Sequence, residues 1–326
     1  MLSESSLVRE LSGYAPAIPT PFKPNGEVDV ATLERYCDWQ IKEGARALVV
    51  CGTTGEAPTL TETEHDTIVR AAVAVSHKRV PVIAGAGSNS TIHGKALARD
   101  AEAAGADAIL SVVPYYNRPT ARGLYEHFIA TMDAASLPVI LYDVPARTGC
   151  ALPEETIVRL AQHPHCIGLK DAAGDPTRAL RLRAKLGPQF RLLCGDDALA
   201  LAYLAHGGDG CISVTSNAAP RLCKAMDDAW NAGKVRECQR LMAIILDLTR
   251  VLFREASPAP VKCALELRGL MSARVRLPLC EVTEPTKYEI SGILAEVFGP
   301  DLIVGAEVAP QKSNRGPRPA EALIQN

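Results

Sequence analysis

Cys166-Ile167-Gly168-Leu169-Lys170-Asp171-Ala172-Ala173 is apolar and small until a lysine interrupts it. The run has the length and composition of a short buried strand. Burying an ammonium is expensive unless it is paired or loses its proton. Desolvation favours the neutral amine, and a neutral amine is a nucleophile that forms a Schiff base with a carbonyl. A plainer reading ends the strand at Leu169 and turns Lys170 out to solvent. Taken alone, the octapeptide favours the plainer reading; the rest of the chain reverses it.

The same kind of short apolar run recurs on both sides. Strands are expected at Ala15–Pro19, Ala47–Cys51, Val80–Ala84, Ala108–Val113, Pro138–Tyr142, Cys166–Lys170, Arg191–Cys194 and Gly210–Val214. Amphipathic helical patterns separate them, at Val30–Glu43, Glu62–His77, Thr91–Ala104, Thr120–Ala134, Glu154–Gln162, Thr177–Leu186 and Ala198–His206. Gly44, Gly105 and Gly207 stand just past helix ends, and Pro153 precedes Glu154-Glu155 at a helix start. The strand runs are continuously apolar rather than alternating, as in parallel strands covered on both faces. Eight such βα units in one unbroken rhythm predict an α/β fold, a (β/α)8 TIM barrel. A doubly wound sheet is the alternative. Gly85-Ala-Gly87 is the nearest approach to a dinucleotide-binding glycine motif, but it follows the third strand and continues Ser-Asn-Ser.

After Val214 the pattern is helical only, at Arg221–Ala232, Val235–Phe253, Pro260–Leu270 and Lys287–Phe298. The expected organisation is an N-terminal segment (1–13), the barrel (14–220), a C-terminal helical appendage (221–300) and a tail (301–326). The tail is rich in proline and polar residues from Ala309 to Pro319 and is expected to be disordered.

Bulk composition excludes several classes of partner. Lys+Arg 35 against Asp+Glu 37 leaves a net charge of -2 without a basic stripe, which argues against nucleic acid and anionic membrane. The most apolar long segment, Leu241–Phe253, is broken by Asp247 and Arg250 and is too short to span a bilayer. The first residues carry acids where a secretion signal is basic, so a cytoplasmic location is expected. Ten cysteines are scattered without a Cys-x-x-Cys pair, and seven histidines lack ligand spacing. The cysteines read as small buried hydrophobes, and neither a metal nor a cofactor is expected.

Barrels place their chemistry at the C-terminal ends of strands. Those ends carry Thr20, Gly52-Thr53-Thr54-Gly55-Glu56, Pro114-Tyr115-Tyr116-Asn117, Tyr142 with Arg147-Thr148-Gly149 beyond it, Lys170, and Gly195-Asp196-Asp197. Each has a plain reading: a turn for Gly-Thr-Thr-Gly, loop packing for the paired tyrosines, a core tyrosine for Tyr142, a helix cap for the aspartates. Together they are an amine nucleophile, phenols for proton transfer, hydroxyls and amides for one carboxylate and a guanidinium for another. Convergence on one face favours the functional reading.

These motifs resemble the dihydrodipicolinate synthase (4-hydroxy-tetrahydrodipicolinate synthase) family of pyruvate-dependent lyases. The resemblance runs from about Ala15 to about Phe298. It is carried by Gly-Thr-Thr-Gly-Glu, Val113-Pro-Tyr-Tyr-Asn-Arg-Pro119, Leu141-Tyr-Asp-Val-Pro-Ala-Arg-Thr-Gly149 and Ile167-Gly-Leu-Lys-Asp171. It implies condensation of pyruvate with L-aspartate-4-semialdehyde, at the start of the diaminopimelate and lysine pathway, through an imine on Lys170. It further implies a proton relay of Tyr142, Thr53 and Tyr116, the last entering from a neighbouring subunit of a homotetramer built as a dimer of dimers. Thr54 would hold the pyruvate carboxylate and Arg147 that of the semialdehyde, with Gly195 and Ile212 as backbone positions of the pyruvate pocket. A sister aldolase, cleaving N-acetylneuraminate or a 2-keto-3-deoxy sugar acid, is the nearest alternative, and a non-catalytic 2-oxo acid-binding barrel a remote one.

In lysine-sensitive relatives the inhibitor sits in a cleft that maps here onto Ala57, Glu62, His65, Asn89, His93 and Tyr115. His65, Asn89 and Tyr115 agree with that pattern. Ala57 replaces a serine, Glu62 a histidine and His93 the glutamate that holds the inhibitor's ammonium groups, so weak or absent lysine inhibition is expected.

Overall fold

A computed structural model describes residues 11–299. Eight strands alternate with helices: β1 Gly13–Pro16, β2 Leu48–Val50, β3 Val82–Gly85, β4 Ala108–Val112, β5 Val139–Asp143, β6 Cys166–Asp171, β7 Arg191–Cys194 and β8 Gly210–Ser213. All pair in parallel, in the order β1-β8-β7-β6-β5-β4-β3-β2. The remaining gap is narrowed by a parallel bridge between Ala17 and Val49, where the Ile18 amide donates to the Val49 carbonyl at 2.8 Å. The sheet is thus a nearly closed barrel.

The strands are short because each crosses only the waist of the barrel, and their apolar residues serve two layers. Ala15, Val49, Ile83, Leu110, Ile140, Ile167, Leu193 and Ile212 fill the interior. Leu48, Val50, Ala84, Ile109, Val139, Leu141, Leu169 and Leu192 face outward into a second core shared with the helices. That division explains the lack of hydrophobic alternation in the sequence.

The outer helices are α1 Val30–Lys42, α2 Glu62–Ser76, α3 Thr91–Ala103, α4 Ala121–Met132, α5 Glu154–Leu160, α6 Thr177–Leu186 and α7 Ala200–Ala205. Caps fix several starts. Thr61 and Glu64 form a reciprocal capping box on α2, and Asp29, Ser90 and Thr120 cap α1, α3 and α4. After β8 comes a single helical turn, Thr215–Ala218, and then α8, Pro220–Asn231, which packs on β1. Three further helices, α9 Val235–Leu252, α10 Ala259–Leu267 and α11 Glu284–Phe298, pack against one another as the appendage.

Element bounds differ from expectation in three informative places. β1 starts at Gly13, because Gly13–Pro16 is the stretch in register with Gly210–Ser213. The expected Ala198–His206 helix is divided into a 3-10 turn, Asp197–Leu199, capped by Asp196, and α7. α11 begins at Glu284 rather than Lys287, since Pro285 is well suited to a first helical turn. The expected tail 301–326 lies outside the described residues. No helix among the described residues is long and apolar enough to cross a membrane.

Candidate active site

Strict alternation along β6 would turn Lys170 away from the barrel interior. Ile167 points inward, so with period two Leu169 would also face in and Lys170 out. Instead the register with β5 shifts by one, Val139 facing Cys166 but Ile140 facing Gly168. This bulge flips the rest of the strand: Leu169 packs in the outer core and Lys170 enters the barrel beside Tyr142, its register partner. Gly168 makes the bulge possible, because a Cβ there would stand 2.7 Å from the Arg191 carbonyl oxygen.

Lys170 is 6% exposed. Its Nζ lies 4.3 Å from the centroid of the Tyr142 ring. Among the described residues it forms no ion pair, unlike the buried Lys262. Gly195, at the end of β7, leaves room for the lysine stem: a Cβ there would approach Ala172 Cβ at 2.9 Å and Lys170 Cε at 3.2 Å.

The following residue on each strand points outward and locks the pair from behind. Asp143 and Asp171 both receive Arg178 Nη1, at 2.8 and 3.2 Å, and Arg178 Nη2 donates to the Leu152 carbonyl at 2.6 Å. Burial pushes both carboxyls above their usual range, while the guanidinium beside them pulls the other way. The sequence reading passed over this triad. Its signal was an aspartate directly after each of Tyr142 and Lys170.

Lys170 opens onto a cavity of about 670 Å³ whose walls include Thr53, Thr54, Tyr142, Arg147 and Gly195. Arg147 sits in a single helical turn, Pro145–Thr148, just past β5. The outer wall comes from the appendage: Leu246, Asp247 and Arg250 of α9, with Phe253 just beyond it. Asp247 and Arg250 are the residues that broke up the apolar segment Leu241–Phe253, and no strand-end rule could find this wall. The wall carries Arg147 and Arg250 beside Asp196 and Asp247; Arg250 is paired with Glu289, whereas Arg147 forms no ion pair among the described residues and suits an anionic substrate.

Two of the expected residues do not line this cavity within the single chain. Ile212 belongs to the barrel's interior core and is not on the cavity wall. Tyr116 is 89% exposed, with a left-handed φ of 72°, and does not reach Lys170 of its own chain.

A second cleft, about 390 Å³, shares Thr53, Tyr142 and Arg147 with the first and continues to Ala57, Glu62, His65, His93 and Tyr115. Asn89 is not on its wall. His65 Nε2 donates to the Gly85 carbonyl at 2.7 Å, and burial holds this imidazole below its usual range. Among the described residues no His, Cys, Asp and Glu cluster could hold a metal.

A sequence profile of the Dihydrodipicolinate synthetase family matches residues 10–297. A 4-hydroxy-tetrahydrodipicolinate synthase of Acidiphilium cryptum is 48% identical over 278 residues, covering 85% of this chain and 95% of the relative. That of Bradyrhizobium diazoefficiens is 46% identical, covering 85% and 94%. The crystal structure of the chloride-inhibited dihydrodipicolinate synthase of Acinetobacter baumannii complexed with pyruvate is 40% identical, with a TM-score of 0.86 over 90% of this chain and 100% of that one. Another solved relative, 36% identical with a TM-score of 0.86 over 90% of this chain and 98% of that one, is a monomeric dihydrodipicolinate synthase variant. The barrel, the inward lysine and these likenesses over nearly the whole described chain agree: this chain belongs to the dihydrodipicolinate synthetase family.

Proposed function

We propose that this chain condenses pyruvate with L-aspartate-4-semialdehyde, the 4-hydroxy-tetrahydrodipicolinate synthase reaction of diaminopimelate and lysine biosynthesis. The observation that carries the reading is a buried lysine that, among the described residues, forms no ion pair and stands 4.3 Å from the Tyr142 ring. It opens into a cavity that also holds Thr53, Thr54 and Arg147. Lys170 Nζ attacks the pyruvate ketone, water leaves, and an imine forms. The imine acidifies the methyl protons; loss of one gives an enamine whose carbon attacks the semialdehyde carbonyl. The α-amino group that the semialdehyde brought with it then attacks the imine carbon and displaces the Lys170 nitrogen by transimination, closing the ring and freeing Lys170. No further cofactor is required, since the imine is the electron sink.

Tyr142 and Thr53 are the proton-transfer groups on this chain, and Thr54 with the adjoining amides receives the pyruvate carboxylate. Arg147 receives the second carboxylate, a task suited to a planar two-pronged donor. Tyr116 completes the relay from a partner copy, in keeping with its exposure here, within a homotetramer in the cytoplasm. In the neighbouring cleft, His93 in place of a carboxylate leaves lysine weakly held, with half-inhibition above about 1 mM.

Incubation with pyruvate and borohydride tests the reading. One reduced pyruvate should be fixed to the chain, on the Lys170 peptide, and addition of the semialdehyde should consume both substrates. Labelling elsewhere overturns the mechanism. Labelling at Lys170 with turnover of a sugar acid, and none of the semialdehyde, moves the assignment to a sister aldolase.

A further inference from the structure

The motif Gly52-Thr53-Thr54-Gly55-Glu56 ends in a residue that the mechanism does not use. Glu56 is buried, with a left-handed φ of 56° that a non-glycine residue keeps only where its surroundings dictate it. Both carboxylate oxygens are engaged from far along the chain. Oε1 accepts from Lys262 Nζ of α10 at 2.7 Å, and Oε2 accepts from the Arg276 amide at 2.9 Å. The Lys262 and Glu56 side chains are both 0% exposed. Lys262 Nζ and Arg276 Cζ also lie over the Phe22 ring, at 4.3 and 4.4 Å. The Arg276 guanidinium donates to the carbonyls of Thr59 and Gly26, at 2.8 and 2.7 Å.

The rest of the loop is tied to this anchor by its own backbone. The Glu56 amide donates to the Thr53 carbonyl at 3.1 Å, the Ala57 amide to the Gly52 carbonyl at 3.3 Å, and Thr20 Oγ1 to the Gly55 carbonyl at 2.7 Å. Displacing Glu56 therefore displaces Thr53 and Thr54. A buried ion pair contributes little net stability when compared with an apolar pair of the same size, and is better explained as fixing one geometry. We propose that Glu56 and Lys262 are positioning residues: the C-terminal appendage uses them to set the Thr53-Thr54 backbone at the spacing that receives the carboxylate of a 2-oxo acid.

This rests on the reading above that Thr54 and its neighbours bind that carboxylate, and the test separates the two. The double variant Glu56→Gln/Lys262→Met removes both charges and strands neither. Pyruvate is titrated against borohydride labelling of Lys170 in the wild type and in the variant. The expected result is a half-saturating pyruvate concentration raised about tenfold, the scale of a lost charge-assisted contact. Full labelling at saturation and an unchanged KM for the semialdehyde should accompany it. A merely structural role lowers the thermal midpoint and the active fraction but leaves half-saturation alone, and that outcome overturns the proposal. Failure of the wild type to label at Lys170 overturns the underlying reading instead. If the double variant lacks a thermal transition, the titration is made on Glu56→Gln, which keeps one acceptor; unchanged half-saturation there also overturns the proposal.

Discussion

Among the described residues two lysines are buried over aromatic rings at the same 4.3 Å, and they serve different ends. Lys262 sits over Phe22 at the joint between the Gly-Thr-Thr-Gly-Glu loop and the appendage, with Glu56 at 2.7 Å. Burial holds its pKa below the usual lysine range, against the opposing pull of the Glu56 carboxylate, and the contact between the two holds both side chains in place. Lys170 sits over Tyr142, forms no ion pair among the described residues, and has a cavity in front of its nitrogen. The ring is common to both; the partner differs. A salt bridge occupies an amine with structure, whereas an amine facing only a ring and a cavity stays available to a ligand.

The sharpest way to break the comparison is to replace each lysine with methionine, which keeps the length and removes the charge. Lys170→Met should reduce turnover to background while its thermal midpoint holds or rises, because an unpartnered buried amine gives way to an apolar chain. Lys262→Met should instead strand Glu56 and cost about 3–5 kcal/mol in denaturant unfolding. Equal loss of stability in the two variants would show that Lys170 is structural as well.

Tyr142→Phe sharpens the same point from the ring side. The aromatic face stays and the hydroxyl goes, so kcat should fall about 10²–10⁴-fold while pyruvate still labels Lys170. Loss of labelling would mean that the hydroxyl is needed earlier, at imine formation. Arg147→Ala removes a cation that, among the described residues, has no ion pair of its own. Measured as kcat/KM for the semialdehyde, the expected loss is about tenfold to a hundredfold, with pyruvate half-saturation unmoved.

The smallest effect lies at the structural end. The hydrogen bond from Arg276 lowers the Glu64 carboxyl to about 2. Since the folded value is depressed, this pair's stabilisation is present above the ordinary carboxylate range and is lost as pH falls through that range towards about 2. Glu64→Gln should flatten that part of a plot of thermal midpoint against pH. A plot identical to wild type would show that the pair contributes nothing measurable, as is common for partly exposed ion pairs.

Much of the site was legible because barrel topology turns strand ends into a list. Thr53, Tyr142 and Lys170 each follow an apolar run, and the fold rule alone assembles them on one face. Arg147 was legible as a residue but not as part of a helical turn, since Pro145–Thr148 is too short to leave a periodic signature. Asp247 and Arg250 were noticed only as interruptions in an apolar helix, and Leu246 and Phe253 only as part of that apolar run. Their place on the cavity wall depends on how α9 lies across the barrel. The join of Glu56 to Lys262 spans 206 positions, a separation at which local pattern says nothing.

The sequence by itself determined the eight apolar strands, the helices between them and the residue types gathered at the strand ends, because period, capping and burial are local or nearly so. Which way Lys170 faces was decided only by the tertiary structure. Continued alternation from Ile167 sends that side chain outward. The shift in register against β5, accommodated by Gly168 where the Arg191 carbonyl leaves no space for a Cβ, turns it in. With a side-chain period of two, one extra residue in a strand reverses every side chain after it, and the neighbouring strands set where that residue falls.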